Sequence, residues 1–148
     1  MHEINGARCL DLFAGTGALG FESLSRGAAF VQFVESNKVA VDNLQDNINV
    51  LSKAKEMFAQ VTHQSALDFL TKQPAEPYNI VYIDPPFQST LLSQSIELLI
   101  ANSWLSDGSF IYLEHDVNTR LDLNLIPATW TLYRKGSAGK SAYYLYIA

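Results

Sequence analysis

Short apolar runs alternate along this chain with segments in which apolar residues return every three or four positions. The runs at residues 8–13, 30–35, 58–63, 78–83 and 109–114 read as strands. Residues 18–25 read as a short helix after a glycine turn. Ser36 or Asn37 can cap a second helix that places Ala40, Leu44, Ile48 and Leu51 on one face. Ser65 to Leu70 reads as a third, short helix. Residues 90–101 read as a fourth, with Leu92, Ile96, Leu99 and Ile100 inward. Gln73 to Pro77 is a polar loop, and Asp107-Gly108 a turn before the fifth strand.

The rhythm then changes. Residues 128–134 and 142–147 are β-rich, and the polar link from Lys135 to Lys140 between them is too short for a crossover helix. Strand–helix units that end in a hairpin predict an α/β fold. Its sheet is doubly wound, seven-stranded and mostly parallel, with helices on both faces and an antiparallel pair at the end.

A chain of 148 residues, about half of them apolar, fits one domain with a full core. No apolar run is long enough for a membrane helix. The first residues show no basic and apolar leader pattern. The single cysteine, Cys9, excludes an internal disulfide, favours a reducing compartment such as the cytoplasm, and reads as strand packing. His2, His63 and His115 lack metal-ligand spacing, so no metal is expected. The net charge of −5 is unevenly spread: after Asp122 there are no acids, only Arg134, Lys135 and Lys140.

Two loops carry the candidate chemistry. Asp84-Pro85-Pro86-Phe87 follows the fourth strand. Its prolines fix two φ angles and remove two backbone donors. The stiff loop offers a carboxylate, bare carbonyls and an aromatic ring, a set suited to an amino group on a flat base. The plainer reading is an ordinary turn with Phe87 as a core anchor. Upstream, Asp11-Leu12-Phe13-Ala14-Gly15-Thr16-Gly17 leads from the first strand into Ala18-Leu19-Gly20. Gly15 and Gly17 permit a tight turn and close approach of a ligand. Glu35 ends the second strand 20 residues after Gly15, where it can accept hydrogen bonds from a ribose diol. The pattern also fits a dinucleotide. Asp11 argues otherwise, because a carboxylate before the loop repels a pyrophosphate and attracts an ammonium such as that of S-adenosyl-L-methionine. Ser36 follows Glu35. Ser65, Ala66 and Leu67 follow the third strand, where an adenine would lie in such a sheet.

On these runs the chain resembles the class I S-adenosylmethionine-dependent methyltransferases. The longer stretches 9–28 and 79–87 resemble the bacterial small-subunit ribosomal RNA guanine-N2 methyltransferases. That resemblance implies a Rossmann-like methyltransferase fold and methyl transfer to the exocyclic amine of one guanine, within a partly assembled small ribosomal subunit. It implies cofactor binding by Asp11, Phe13, Ala14, Gly15, Thr16, Gly17, Glu35, Ser36, Ser65, Ala66, Leu67 and Asp84, with Asp84, Pro85, Pro86 and Phe87 at the reacting amine. The family carries a basic N-terminal extension ahead of the first strand, so this chain reads as a single catalytic domain without it. Ser65 stands where an acid or amide is common, which leaves the adenine to the backbone of Ala66 and Leu67. We expect a monomer. Three other readings stay open: an amino-methylating enzyme for DNA adenine or a protein amide, a nicotinamide-dependent oxidoreductase, and a cofactor-binding domain without turnover.

Overall fold

A computed structural model describes residues 2–54, 58–86, 89–118 and 122–148. Seven strands form one sheet: β1 (Arg8–Asp11), β2 (Phe30–Glu35), β3 (Ala59–His63), β4 (Tyr78–Ile83), β5 (Leu105–Asp116), β6 (Thr131–Ala138) and β7 (Ser141–Ile147). Their spatial order is β3-β2-β1-β4-β5-β7-β6. The first five run parallel, and β7 pairs antiparallel with both β5 and β6. The chain winds outward from β1 to β3, then returns to β4 on the other side of β1. That reversal opens a crevice at the carboxyl ends of β1 and β4, where open α/β sheets bind ligands.

Four helices cover the sheet: α1 (Ala18–Ser25), α2 (Lys38–Ala54), α3 (Ala66–Leu70) and α4 (Ser89–Ala101). Strand alternation sorts the core into two layers. Cys9, Val31, Phe33, Ile80 and Tyr82 face α1 and α2, where Leu24, Leu44 and Ile48 meet them. Leu10, Leu12, Val34, Val81, Ile83, Ile111 and Leu113 face α3 and α4, where Leu70, Leu92, Ile96 and Leu99 meet them. The central strands are buried on both sides, which explains why they read as near-continuous apolar runs.

Gly20 fixes how closely α1 can lie on the sheet. A Cβ there would sit 2.2 Å from the Phe33 ring. Ser23, fully buried on α1, accepts a hydrogen bond from the Tyr82 hydroxyl at 2.5 Å and passes one to the Leu19 carbonyl at 3.0 Å. This ties the first helix to β4. Cys9 is fully buried, and burial pushes its thiol up to about 11, so it packs as a neutral side chain.

The first strand, read over 8–13, ends at Asp11, and the strand read from 128 begins at Thr131; three further differences have physical causes. Ile100 is 50% exposed and leaves the inward face of α4 to Leu92, Ile96 and Leu99. Asp107-Gly108 is not a turn ahead of β5 but an irregularity inside it. Tyr78 pairs with Leu105 and Ile80 with Phe110, so β5 carries extra residues that loop out, with Gly108 at φ +70°. The hairpin strands also run farther than their apolar content shows. Lys135 to Ala138 belong to β6, and only Gly139-Lys140 make the turn, with Gly139 at φ +60°. These polar residues hold strand geometry because the β7 backbone pairs with them.

Candidate active site

The glycine loop is stitched to its neighbours before any ligand is considered. Leu12 N donates to the Tyr82 carbonyl at 3.2 Å, Ala14 N to Val34 at 3.0 Å, and Gly17 N to Ala14 at 2.7 Å. Gly15 and Gly17 adopt φ +56° and +81°, the left-handed region that side chains disfavour. No side chain caps α1 at its first turn. Asp11 instead reaches under the loop, and its Oδ2 accepts from Gly20 N at 3.3 Å.

Glu35 uses both carboxylate oxygens. Oε1 accepts from Gly15 N at 2.9 Å, and Oε2 accepts from Asn37 N at 2.8 Å. It therefore holds the loop and opens α2 together. Ser65 caps α3 by accepting from Asp68 N at 3.2 Å. Its hydroxyl proton remains free to point elsewhere.

Above the carboxyl ends of the strands lies one cavity of about 850 Å³. One side is formed by Phe13, Gly15, Glu35, Ser36, Ser65, Ala66 and Leu67, all of them candidates from the sequence. Asp84, Pro85 and Pro86 stand on the opposite side, so the two loops face one space. Asp11, Ala14, Thr16 and Gly17 do not line it. Asp11 is only 3% exposed and lies behind the loop, while Thr16 points to solvent. Phe87 lies outside the described residues.

The far wall was not legible from motifs. Glu114, His115 and Asp116 end β5, Lys140 lies in the hairpin turn, Ser141 opens β7, and Leu91 and Leu92 come from α4. His115 stacks on Tyr144 with ring centroids 5.6 Å apart. The signal that could have found this wall is positional. β5 neighbours β4, so its carboxyl end must flank the diproline loop.

The cavity is acidic. Glu35, Asp84, Glu114, Asp116 and Asp122 line it, against Lys140 as the only lysine or arginine among the described lining residues. The carboxylates disturb one another. Burial raises Asp11 to about 7, with the Asp84 and Glu35 charges adding to the rise and the Gly20 N–H opposing it. Asp84 as a whole stays solvent-accessible, yet the burial its carboxyl end does feel, with the Glu114 charge behind it, raises it to about 6. Such a site favours a cationic ligand and resists a diphosphate.

Comparison with known proteins gives the family and the fold. The family model described as conserved hypothetical protein 95 matches residues 1–147. The chain is 43% identical over 140 residues to ribosomal RNA small subunit methyltransferase D of Escherichia coli strain K12, covering 95% of this chain and 68% of that protein. A solved E. coli structure, described as a candidate methyltransferase, superposes with a TM-score of 0.87 at 43% identity, covering 97% of this chain and 78% of the other. A T. thermophilus 16S rRNA N2 methyltransferase, solved with AdoMet and guanosine, shares the fold at 22% identity and a TM-score of 0.72, over 97% of this chain and 37% of that one. The chain belongs to the conserved hypothetical protein 95 family and is a relative of the ribosomal RNA small subunit methyltransferases D, with a Rossmann-like methyltransferase fold.

Proposed function

We propose that this protein transfers a methyl group from S-adenosyl-L-methionine to the exocyclic N2 amine of a guanine in small-subunit ribosomal RNA. One observation carries the reading: the glycine loop with Glu35 and the Asp84-Pro85-Pro86 loop open into a single acidic cavity at the β1/β4 crevice. S-adenosylmethionine brings an activated methyl on a sulfonium and a second cationic group, which suits this set of carboxylates. Glu35, held by two backbone amides and lining the cavity, is assigned to the ribose hydroxyls. Ser65, Ala66 and Leu67 close the wall assigned to the adenine. Asp11 acts through the loop it braces rather than by direct contact.

At the acceptor side, the amine nitrogen is a poor nucleophile because its lone pair is delocalised into the ring. The Asp84 carboxylate and the Pro85 carbonyl accept its N–H bonds and stabilise positive charge as it develops on nitrogen. Phe87 is assigned to stacking on the base. The rest of the rate comes from holding donor and acceptor in line.

The decisive experiment maps modified nucleosides in small-subunit ribosomal RNA from cells lacking the gene. One N2-methylguanosine is expected to disappear and to return when the gene is restored. An unchanged map, or loss of a methylated adenine instead, overturns the assignment.

The raised Asp84 also sets a pH dependence. Only its ionised form accepts both from the amine and against the developing charge. Transfer is therefore expected to fall about tenfold per pH unit below about 6 and to level off above about 7. A single-turnover pH series checks this; a flat profile from pH 5 to 8 rules out Asp84 as the titrating acceptor.

A further inference from the structure

We infer that Glu114 reads the Watson–Crick edge of the target base, accepting the guanine N1–H beside the amine that Asp84 holds, and so selects guanine over bases whose N1 is an acceptor. The inference rests on the guanine-amine reading above and adds to it the residue that enforces the choice of base.

The placement follows from strand register. In the parallel pair of β4 and β5, Tyr82 lies opposite Tyr112 and Ile83 opposite Leu113. Asp84 follows Ile83 directly and Glu114 follows Leu113, so each stands one residue beyond the last paired position. Neighbouring strands lie about 4.8 Å apart, so the carboxyl ends of β4 and β5 bring Asp84 and Glu114 to the same rim of the sheet. Both line the cavity. Glu114 is half-buried, and the Tyr112 hydroxyl donates towards its Oε2 at 3.4 Å. The influence of Glu114 on Asp84 places the two charges within electrostatic reach. Tyr112 is itself stacked on Tyr143, with centroids 6.0 Å apart, so the hydroxyl that meets Glu114 comes from a fixed ring.

The base chemistry matches that spacing. Guanine presents N1–H and the N2 amine side by side, two donors in a row. Two adjacent carboxylates are the complementary acceptors. In adenine the amine lies next to N1, which is a lone pair. Bound with its amine on Asp84, adenine would direct that lone pair at the Glu114 carboxylate, leaving two acceptors opposed and unpaired. A site built to accept a hydrogen rejects a substrate that lacks it. The single motif loop grips an amine of either base, whereas the added carboxylate distinguishes them.

The test uses the full chain and small-subunit particles partly assembled on synthetic ribosomal RNA that carries, at the mapped position, either guanosine or the 2-aminopurine riboside. Both offer an amine at carbon 2 to Asp84, but only guanosine has a hydrogen on N1. The parent protein is expected to prefer guanosine strongly in kcat/KM. In Glu114→Gln the amide can donate to an N1 lone pair, and the preference is expected to shrink by about tenfold to a hundredfold. Cofactor affinity and melting temperature, measured on the same preparation, should stay at the parental values. Glu114→Ala should also flatten the preference, by slowing guanosine alone. An undiminished preference in both variants overturns the role of Glu114 and leaves the guanine reading standing. A parent protein that methylates neither RNA overturns both.

Discussion

Asp84→Ala is expected to lower methyl transfer by about two to three orders of magnitude, the usual effect of removing one aligned electrostatic partner, worth about 2.7–4 kcal/mol in the transition state. The effect should fall on the chemical step. Asp84 is solvent-accessible at the end of β4 and makes none of the hydrogen bonds that hold the described loops, so the variant should melt close to the parent. Cofactor affinity should fall far less than the rate, because the glycine loop and Glu35 are untouched. Asp84→Asn separates charge from hydrogen bonding: it keeps an acceptor oxygen but no longer titrates, so the pH limb near 6 should vanish with it. Parental turnover in the alanine variant would remove Asp84 from the reaction.

Gly17→Val should cost the protein both stability and cofactor. The sequence suggests a steric block of the ligand, but the structure gives a different reason. Gly17 does not line the cavity. A Cβ on it would lie 2.5 Å from Leu44 Cδ2 and 2.6 Å from Phe21 Cε2, at φ +81°. Overpacking of this kind costs about 1–3 kcal/mol, and the left-handed backbone adds about 1–2 kcal/mol for a residue with a Cβ. A melting temperature lower by about 10 °C is the expected reading. Cofactor binding by calorimetry should be lost with it, since α1 can no longer seat behind the loop. Gly15→Ala is the control. No atom lies within 4 Å of its added Cβ, so only the φ +56° strain remains and the melting loss should be smaller. Equal melting temperatures for Gly17→Val and the parent would show that the loop is not held as described.

Both loops were readable in the sequence because their chemistry is local. A glycine turn and a diproline carry their constraint in adjacent residues. The alternating strands were readable for a related reason: burial on both faces leaves continuous apolar runs at β1, β2 and β4. What escaped was set by partners distant in the chain. β6 continues through Lys135 and Gly136 because β7 pairs with them, although their own side chains favour a loop. Leu105 joins β5 through Tyr78, across a looped-out segment that the sequence presents as a turn. Ile100 is apolar and correctly spaced, yet Leu92, Ile96 and Leu99 fill the buried face of α4 and leave it half-exposed. The distal cavity wall was hidden for the same reason. Glu114 and Asp84 are thirty positions apart and become neighbours only when β4 and β5 align.

The two-way winding of the sheet from β1 also divides labour. Apart from Asp84, which faces both ligands, the residues assigned to the methyl donor hang on β1, β2 and β3. The residues assigned to the acceptor hang on β4, β5 and the hairpin. Tyr82 and Ser23 form the strut between the halves. Such a frame is modular: one flank can be rewritten to take a new target while the other keeps its universal reagent.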